Sequence, residues 1–260
     1  MDILGVDIGG SGIKAAPVQT TTGELLAERL RVDTPHSPTP EAVTATVASL
    51  AAHFHWRGPI GCGFPGVVRD GQVFTAVNLT DQWVGCNARD LFAGATGCPV
   101  TVLNDADVAG YAEMRFGAGQ GIKGVVFMVT LGTGIGTALF VNGQLVPNTE
   151  LGHIEVDGKE AEKRAAASVR EKKRLSWKQW ARRVDAYLTR IQQHLWPDLI
   201  IVGGGVSNKH EKFLPLLTVD TIVVPAQMRN EAGIVGAALE ALYTQQLSEP
   251  PGPVEILYTD

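Results

Sequence analysis

Asn104, Asp105 and Asp107 stand together in LNDAD, at the end of the apolar run PVTVLND. A strand end holds a side chain rigidly yet leaves it reachable. A carboxylate there can take the proton of an attacking hydroxyl while a neighbouring amide fixes that hydroxyl's orientation. The same residues read equally well as an Asx-type cap on a helix that continues through VAGYAEMRF. Three glycine-rich stretches offer a second kind of chemistry. DIGGSG, LGTGIG and Gly203–Gly205 each follow an apolar run, and glycine lets backbone N–H groups converge on an anion with no Cβ in the way. One such turn is ordinary between strands, whereas two in repeated context and a third cluster point to phosphate. Asp7 offers a carboxylate that could hold a metal through water, and Lys14 could neutralise phosphate charge. The turns lack the G-x-x-x-x-G-K-S/T of a P-loop, and their strand–turn–strand setting departs from a dinucleotide fingerprint. In ELGH, Glu150 and His153 lie three residues apart. They suit adjacent sugar hydroxyls; a metal pair or a plain solvated turn are the alternatives. There is no H-E-x-x-H, and no later cysteine to complete a zinc site.

These groups need a frame, and two stretches share one layout. ILGV, DIGGSG, IKAAPV, the polar turn QTTTG and ELLAERL form the first; GVVFMVT, LGTGIG, TALFV, the turn NG and QLV form the second. Each reads as strand, glycine turn, strand, turn, strand, with Asn142-Gly143 as a hairpin signal. A unit repeated half a chain apart implies two related lobes rather than one sheet. Between them lie a helix from Pro40 to His55 and the strand IGCGF. Later, SWKQ fits a capping box with Ser176 as N-cap and Gln179 three residues on. Trp177, Trp180, Ala181, Val184, Tyr187, Leu188, Ile191 and Leu195 then follow at helical spacing up to Pro197, as packing alone requires. LIIVGGGV reads as a buried strand, NEAGIVGAALEAL as a last helix, and SEPPGPVEILYTD as a proline-rich surface tail.

The chain has 260 residues, 45% of them hydrophobic, and a formal charge of −5. No apolar run approaches the ~20 residues of a membrane span. The N-terminus opens on a strand without a basic leader, so the expectation is a cytoplasmic protein that binds neither membrane nor nucleic acid. Cys62, Cys86 and Cys98 are an odd number without metal spacing and read as reduced thiols. One segment breaks the acidic pattern. Lys159–Arg183 holds ten Lys/Arg against three Glu, a local +7, which leaves −12 for all other residues. A solvated helix face with pairs such as Glu160/Arg164 and a site for a long polyanion both account for it. Its first part, AEKRAAASVREKK, is rich in helix formers but carries only a small stripe of Ala161, Ala165 and Val169.

DIGGSGIK, GFPGVV, VLNDAD, TLGTGIG, NTELGH, LSWKQWARR, DLIIVGGGVSNKHEKFLP and NEAGIVGAAL, in this order from residue 1 to about 243, resemble the polyphosphate-using glucokinases of the ROK group (repressors, open reading frames, kinases). The resemblance implies an α/β, two-lobed, actin-like (ribonuclease H-like) sugar kinase fold with its active site in the inter-lobe cleft. The expected division is a small lobe over 1–112 with a helix at about 231–246 packing back on it, a larger lobe over 113–230, and a tail over 247–260. The family implies glucose as acceptor, inorganic polyphosphate or ATP as donor, Mg²⁺ as cofactor and a homodimer.

Carried over position by position, the resemblance makes Asp105 the general base for the glucose 6-hydroxyl. Asn104, Glu150, His153 and Glu162 bind the sugar, with Asn78 and Gly66 in the same pocket. Gly9, Gly10, Ser11, Gly12 and Lys14 form the first phosphate loop, Gly132, Thr133 and Gly134 the second, and Gly203, Gly204 and Gly205 meet the nucleoside. Asp7 holds Mg²⁺ through water. Most of the group follows Glu-x-Gly-His with a cysteine zinc loop; no cysteine occurs after Cys98, so no zinc is expected. The basic segment stands in its place, and Arg170, Lys172, Lys173 and Arg174 are the expected polyphosphate contacts. Two rivals are an ATP-only hexose kinase of the same fold and a sugar-sensing repressor, the latter disfavoured because Asp105 is kept and no helix-turn-helix precedes the first loop.

Overall fold

A computed structural model describes residues 1–248. In chain order the strands are β1 (Asp2–Ile8), β2 (Ile13–Gln19), β3 (Leu30–Val32), β4 (Ile60–Phe64), β5 (Val68–Arg69), β6 (Gln72–Val73), β7 (Val100–Asn104), β8 (Val125–Leu131), β9 (Ile135–Val141), β10 (Gln144–Val146), β11 (Glu155–Val156), β12 (Lys159–Glu160), β13 (Leu199–Gly203) and β14 (Val223–Pro225). The helices are α1 (Pro40–His53), α2 (Ala88–Thr96), α3 (Asp105–Phe116), α4 (Glu162–Ala165), α5 (Ala167–Lys172), α6 (Trp177–Leu195) and α7 (Ala232–Ser248). The larger strands form two five-stranded sheets of one plan, β3-β2-β1-β4-β7 and β10-β9-β8-β13-β14. In each, an antiparallel hairpin is extended by two parallel strands. The repeat legible in the sequence is thus a repeat of topology.

Alternation along the strands explains the layers. In β8, Val126 and Met128 face inward with Ile201 of β13, while Phe127 and Val129 face outward with Ile200 and Val202. Strands covered on both faces read as continuous apolar runs for this reason. α1 and α2 cover the outer face of the first sheet through Val43, Val47, Leu50 and Phe92. α6 covers the outer face of the second through Trp180, Val184, Tyr187, Leu188 and Ile191. α3 and α7 pack on each other between the sheets, α7 against β1, β4 and β7, α3 against β8 and β9. Their approach is so close that a Cβ on Gly236 would collide with the Val108 carbonyl, so only glycine fits there.

Local chemistry sets the helix ends. Thr39 accepts from Ala42 N ahead of Pro40, Asn87 caps α2, and Ser176 with Gln179 closes the expected capping box. Trp196, left-handed at φ 46°, ends α6 before Pro197. One expectation fails, and one segment rich in helix formers is divided. ELLAERL is not a strand: Leu25 makes a single bridge to Val18, and Leu26 N donates to the Pro17 carbonyl. Pro17 has no N–H to return, so the ladder stops, and the third strand is Leu30–Val32 at the other end of β2. AEKRAAASVREKK is not one helix but two, broken at Ala166 (ψ 148°). There the Trp180 indole donates to the Ala165 carbonyl and Ser168 N donates to the Gly132 carbonyl, so tertiary bonds replace helical ones. Of the tail expected over 247–260, residues 249–260 lie outside the described residues. No helix of the described chain is long and apolar enough to cross a membrane.

Candidate active site

Both readings of LNDAD are realised, by different atoms. Asn104 ends β7, and its Oδ1 accepts from Ala106 N at 2.8 Å and Asp107 N at 3.1 Å, capping α3. Its Nδ2 donates to the Gly66 carbonyl at 3.1 Å. Asn104 is therefore mostly committed to structure, and only its second amide hydrogen is left for a ligand. The cap frees Asp105, the first helical residue, to face two adjoining cavities. One, about 270 Å³, is lined among others by Gly66, Asn78, Asn104, Glu150, His153 and Glu162. The other, about 230 Å³, is lined among others by Asp7, Lys14, Gly203, Gly204, Gly205 and Arg229. Asp105, Thr130 and Gly204 belong to both. Burial, then the negative charges of Asp7 and Glu150, push the Asp105 carboxyl up from 3.8 to about 7. A carboxylate poised near neutrality beside a cavity suits proton transfer.

The first cavity gathers all six residues expected to meet a sugar. They come from five places in the chain. Burial raises the Glu150 carboxyl, opposed by His153 and reinforced by Glu162. His153 lies between two carboxylates, Nε2 3.7 Å from Glu150 and Nδ1 3.7 Å from Glu160. Glu162 reaches back from α4, its Oε2 accepting from Ile135 N at 2.9 Å. A Cβ on Gly134 would displace this carboxylate. Thr130 and Thr137 also line the cavity, and Thr137 Oγ1 donates to the Thr149 carbonyl and accepts from Leu151 N, fixing the loop that carries Glu150. Neither threonine stood out in sequence, although both flank LGTGIG at strand positions.

The phosphate loops divide their tasks unevenly. Gly10 and Lys14 face the cavities, whereas Gly9, Ser11 and Gly12 line neither. Gly9 N donates to Gly12 O at 3.1 Å, Thr34 Oγ1 donates to Gly9 O at 2.6 Å, and Arg31 donates to Ser11 O at 2.8 Å. These three shape the turn instead. Lys14 Nζ donates to Asp7 Oδ2 at 2.9 Å, an acid–base pair at the mouth of the second cavity. Gly132, Thr133 and Gly134 all line the first cavity. Ser168 pins them from behind, its N–H on Gly132 O at 3.1 Å and its hydroxyl on Thr133 O at 2.6 Å. Arg229, which sequence reasoning did not single out, stands just before the last helix and is held left-handed at φ 49°.

The basic segment forms a groove of about 740 Å³, and its lining differs from expectation. Lys159, Lys163, Arg164, Lys173 and Arg183 line it with Glu155 and Glu160, and His153 joins it to the first cavity. Of Arg170, Lys172, Lys173 and Arg174, only Lys173 takes part. Arg170 lies instead 3.7 Å over the Trp177 ring, which stacks on Phe213, so it packs α5 onto α6. Lys172 and Arg174 are exposed elsewhere. The pair Glu160/Arg164 does not form either: Lys163 holds Glu160 at 3.1 Å and Arg164 holds Asp157 at 2.7 Å. The hairpin β11–β12 causes this, turning Glu160 off the helix that the pair presumed. All three cysteines are free thiols, two of them buried.

Comparison with known proteins identifies the family. Residues 3–166 match the ROK family. The chain is 52% identical over 240 residues to a polyphosphate glucokinase of Mycobacterium tuberculosis, covering 92% of this chain and 91% of that one. An inorganic polyphosphate/ATP-glucomannokinase from Arthrobacter sp. strain KM superposes with a TM-score of 0.88 at 46% identity, covering 94% of this chain and 99% of that one. A ROK family glucokinase from Streptomyces griseus, in complex with glucose and AMPPNP, gives 0.80 at 27% identity, covering 94% and 100%.

Proposed function

The chain belongs to the ROK family, and from that premise we propose that it is a glucokinase moving a phosphoryl group from inorganic polyphosphate, and from ATP, to the 6-hydroxyl of glucose. One observation carries the assignment of the reaction centre: Asp105 is shared by an acceptor pocket of amide, carboxylate and imidazole groups, which the Gly132–Gly134 loop also lines, and a donor cavity lined by Gly203–Gly205, Lys14 and Arg229. Phosphoryl transfer asks a protein mainly for such positioning and for charge neutralisation. Asp105 accepts the hydroxyl proton as the sugar oxygen bonds to phosphorus, and the bridging P–O bond breaks toward the shortened polyphosphate or ADP. Glu150, His153 and Glu162 hold the sugar hydroxyls. Lys14 and Arg229 face the donor's phosphates.

Asp7 and Asp105 set two carboxylates against the donor cavity, hard oxygen donors of the kind Mg²⁺ takes through water, so the residues fit the ion. Asp7 would hold it, and the bound ion would supply charge neutralisation on the donor phosphates. A nucleoside fits beyond the phosphates, where Gly203–Gly205, Ser207 and Asn208 line the cavity. For polyphosphate, the end of the chain reacts at Asp105 while distal phosphates lie along the basic groove that opens at His153. The local charge of +7 in an acidic chain supports this reading. The family resemblance supports a cytoplasmic homodimer.

The test is donor-resolved kinetics on a groove variant. Replacing Lys159, Lys163 and Lys173 with Gln together should raise KM for polyphosphate on the order of tenfold and leave KM for ATP unchanged, as loss of sequence-blind phosphate contacts predicts. Equal effects on both donors would contradict the groove assignment.

A further inference from the structure

Asn148 takes no part in the proposed chemistry, yet it bonds to two elements at once. Its N–H donates to Asp107 Oδ2 at 2.8 Å. Its side chain grips the backbone of Val68 in both directions, accepting from Val68 N at 3.1 Å and donating to Val68 O at 3.0 Å. The residue is held left-handed at φ 58°, a conformation that most residues avoid and that Asn tolerates better. That conformation turns the N–H toward α3 and the amide toward β5.

The partners are placed so that one residue ties three walls of the acceptor pocket. Asn148 precedes Glu150 by two positions, Val68 follows Gly66 by two, and Asp107 follows Asp105 by two. Glu150, Gly66 and Asp105 all line that pocket. Asp107 is fully buried, so the bond to it is shielded from water. Gly66 is itself held by Asn104 from β7, and Thr137 holds the Glu150 loop from the opposite side. The first half of the chain supplies β5 and α3, and the second supplies the Glu150 loop. Asn148 is the bridge between them.

We propose that Asn148 is a positioning residue that sets Glu150 and the Gly66 wall in register with Asp105, and so determines how tightly the acceptor sugar is held. The inference rests on the reading of this pocket as the glucose site. Calorimetric titration of glucose into the protein, without donor or metal, tests it. Asn148→Gly keeps the left-handed backbone and the N–H to Asp107 and deletes only the two bonds to Val68. It should weaken glucose binding on the order of tenfold while KM for either donor changes by less than about twofold. Asn148→Asp keeps the acceptor and loses the donor, and should fall between Asn148→Gly and the parent. A role confined to stability would lower the melting temperature and leave glucose affinity intact. Glucose affinity within about twofold of the parent in folded Asn148→Gly would overturn the inference; if that variant does not fold, the same outcome in Asn148→Asp would do so. A parent that binds no glucose would instead remove the sugar reading, and the inference with it.

Discussion

Asp105 shows how far a single residue's environment decides its chemistry. Its carboxyl is pushed up to about 7 by desolvation at the cleft wall and by the charges of Asp7 and Glu150. As the base it must be ionised, so turnover should fall on acidification, about tenfold per pH unit well below 7, and level off above. The same shift has a cost in stability with a definite sign. The folded chain holds this proton more tightly than the unfolded chain, whose carboxyl titrates near 3.8. The contribution of Asp105 to stability therefore declines as pH rises between 3.8 and about 7, then stays level. Asp105→Asn should melt higher than the parent at about pH 8 and no higher at about pH 4; equal melting at both would show that Asp105 titrates normally. At this scale the sequence was informative but ambiguous. LNDAD supports a cap and a base alike, and the fold assigns the cap to Asn104 and the open position to Asp105. Asn148 was invisible as a functional residue, because its importance comes from where Val68 and Asp107 sit in space.

Elements carry the coupling between the basic segment and the phosphate loop. α4 and α5 exist as two short pieces because backbone groups at their junction are bound by Trp180 and Gly132 rather than by each other. Composition alone predicts one helix, since it cannot register a tertiary partner for a main-chain carbonyl. The same blindness misplaced Arg170, whose neighbours in sequence are solvated cations while its neighbour in space is Trp177. α6 was legible in full, since the capping box and a regular apolar stripe are local signals. Gly134→Ala tests the coupling: its Cβ displaces the Glu162 carboxylate from Ile135 N. We expect kcat/KM for glucose to drop by about tenfold or more with little change in melting temperature. An unchanged kcat/KM would separate Glu162 from the sugar. Ser168→Ala should raise KM for both donors by several-fold by loosening the Gly132–Gly134 loop; an effect on glucose alone would contradict that role.

For the whole molecule, the repeat of strand–turn–strand units gave the architecture, and the two sheets carry it out with one topology. What the repeat could not disclose is the layer between the sheets. α7 belongs to the end of the sequence yet packs on the first sheet, a long-range return that periodicity does not encode. Charge behaves as a property of this scale too. The acidic remainder of the chain and the basic groove make binding of a long polyanion depend on salt, so polyphosphate KM should rise steeply between low and moderate ionic strength and that of ATP much less. Parallel curves for the two donors would argue against the groove as a polyphosphate track. The central claim is tested most directly by measuring glucose 6-phosphate formed from inorganic polyphosphate and glucose, for the parent and Asp105→Asn side by side. Turnover is expected with the parent, and a loss on the order of 10²-fold or more in the variant, glucose binding being retained. Product at a near-parental rate from Asp105→Asn, or none from the parent with polyphosphate, would contradict it.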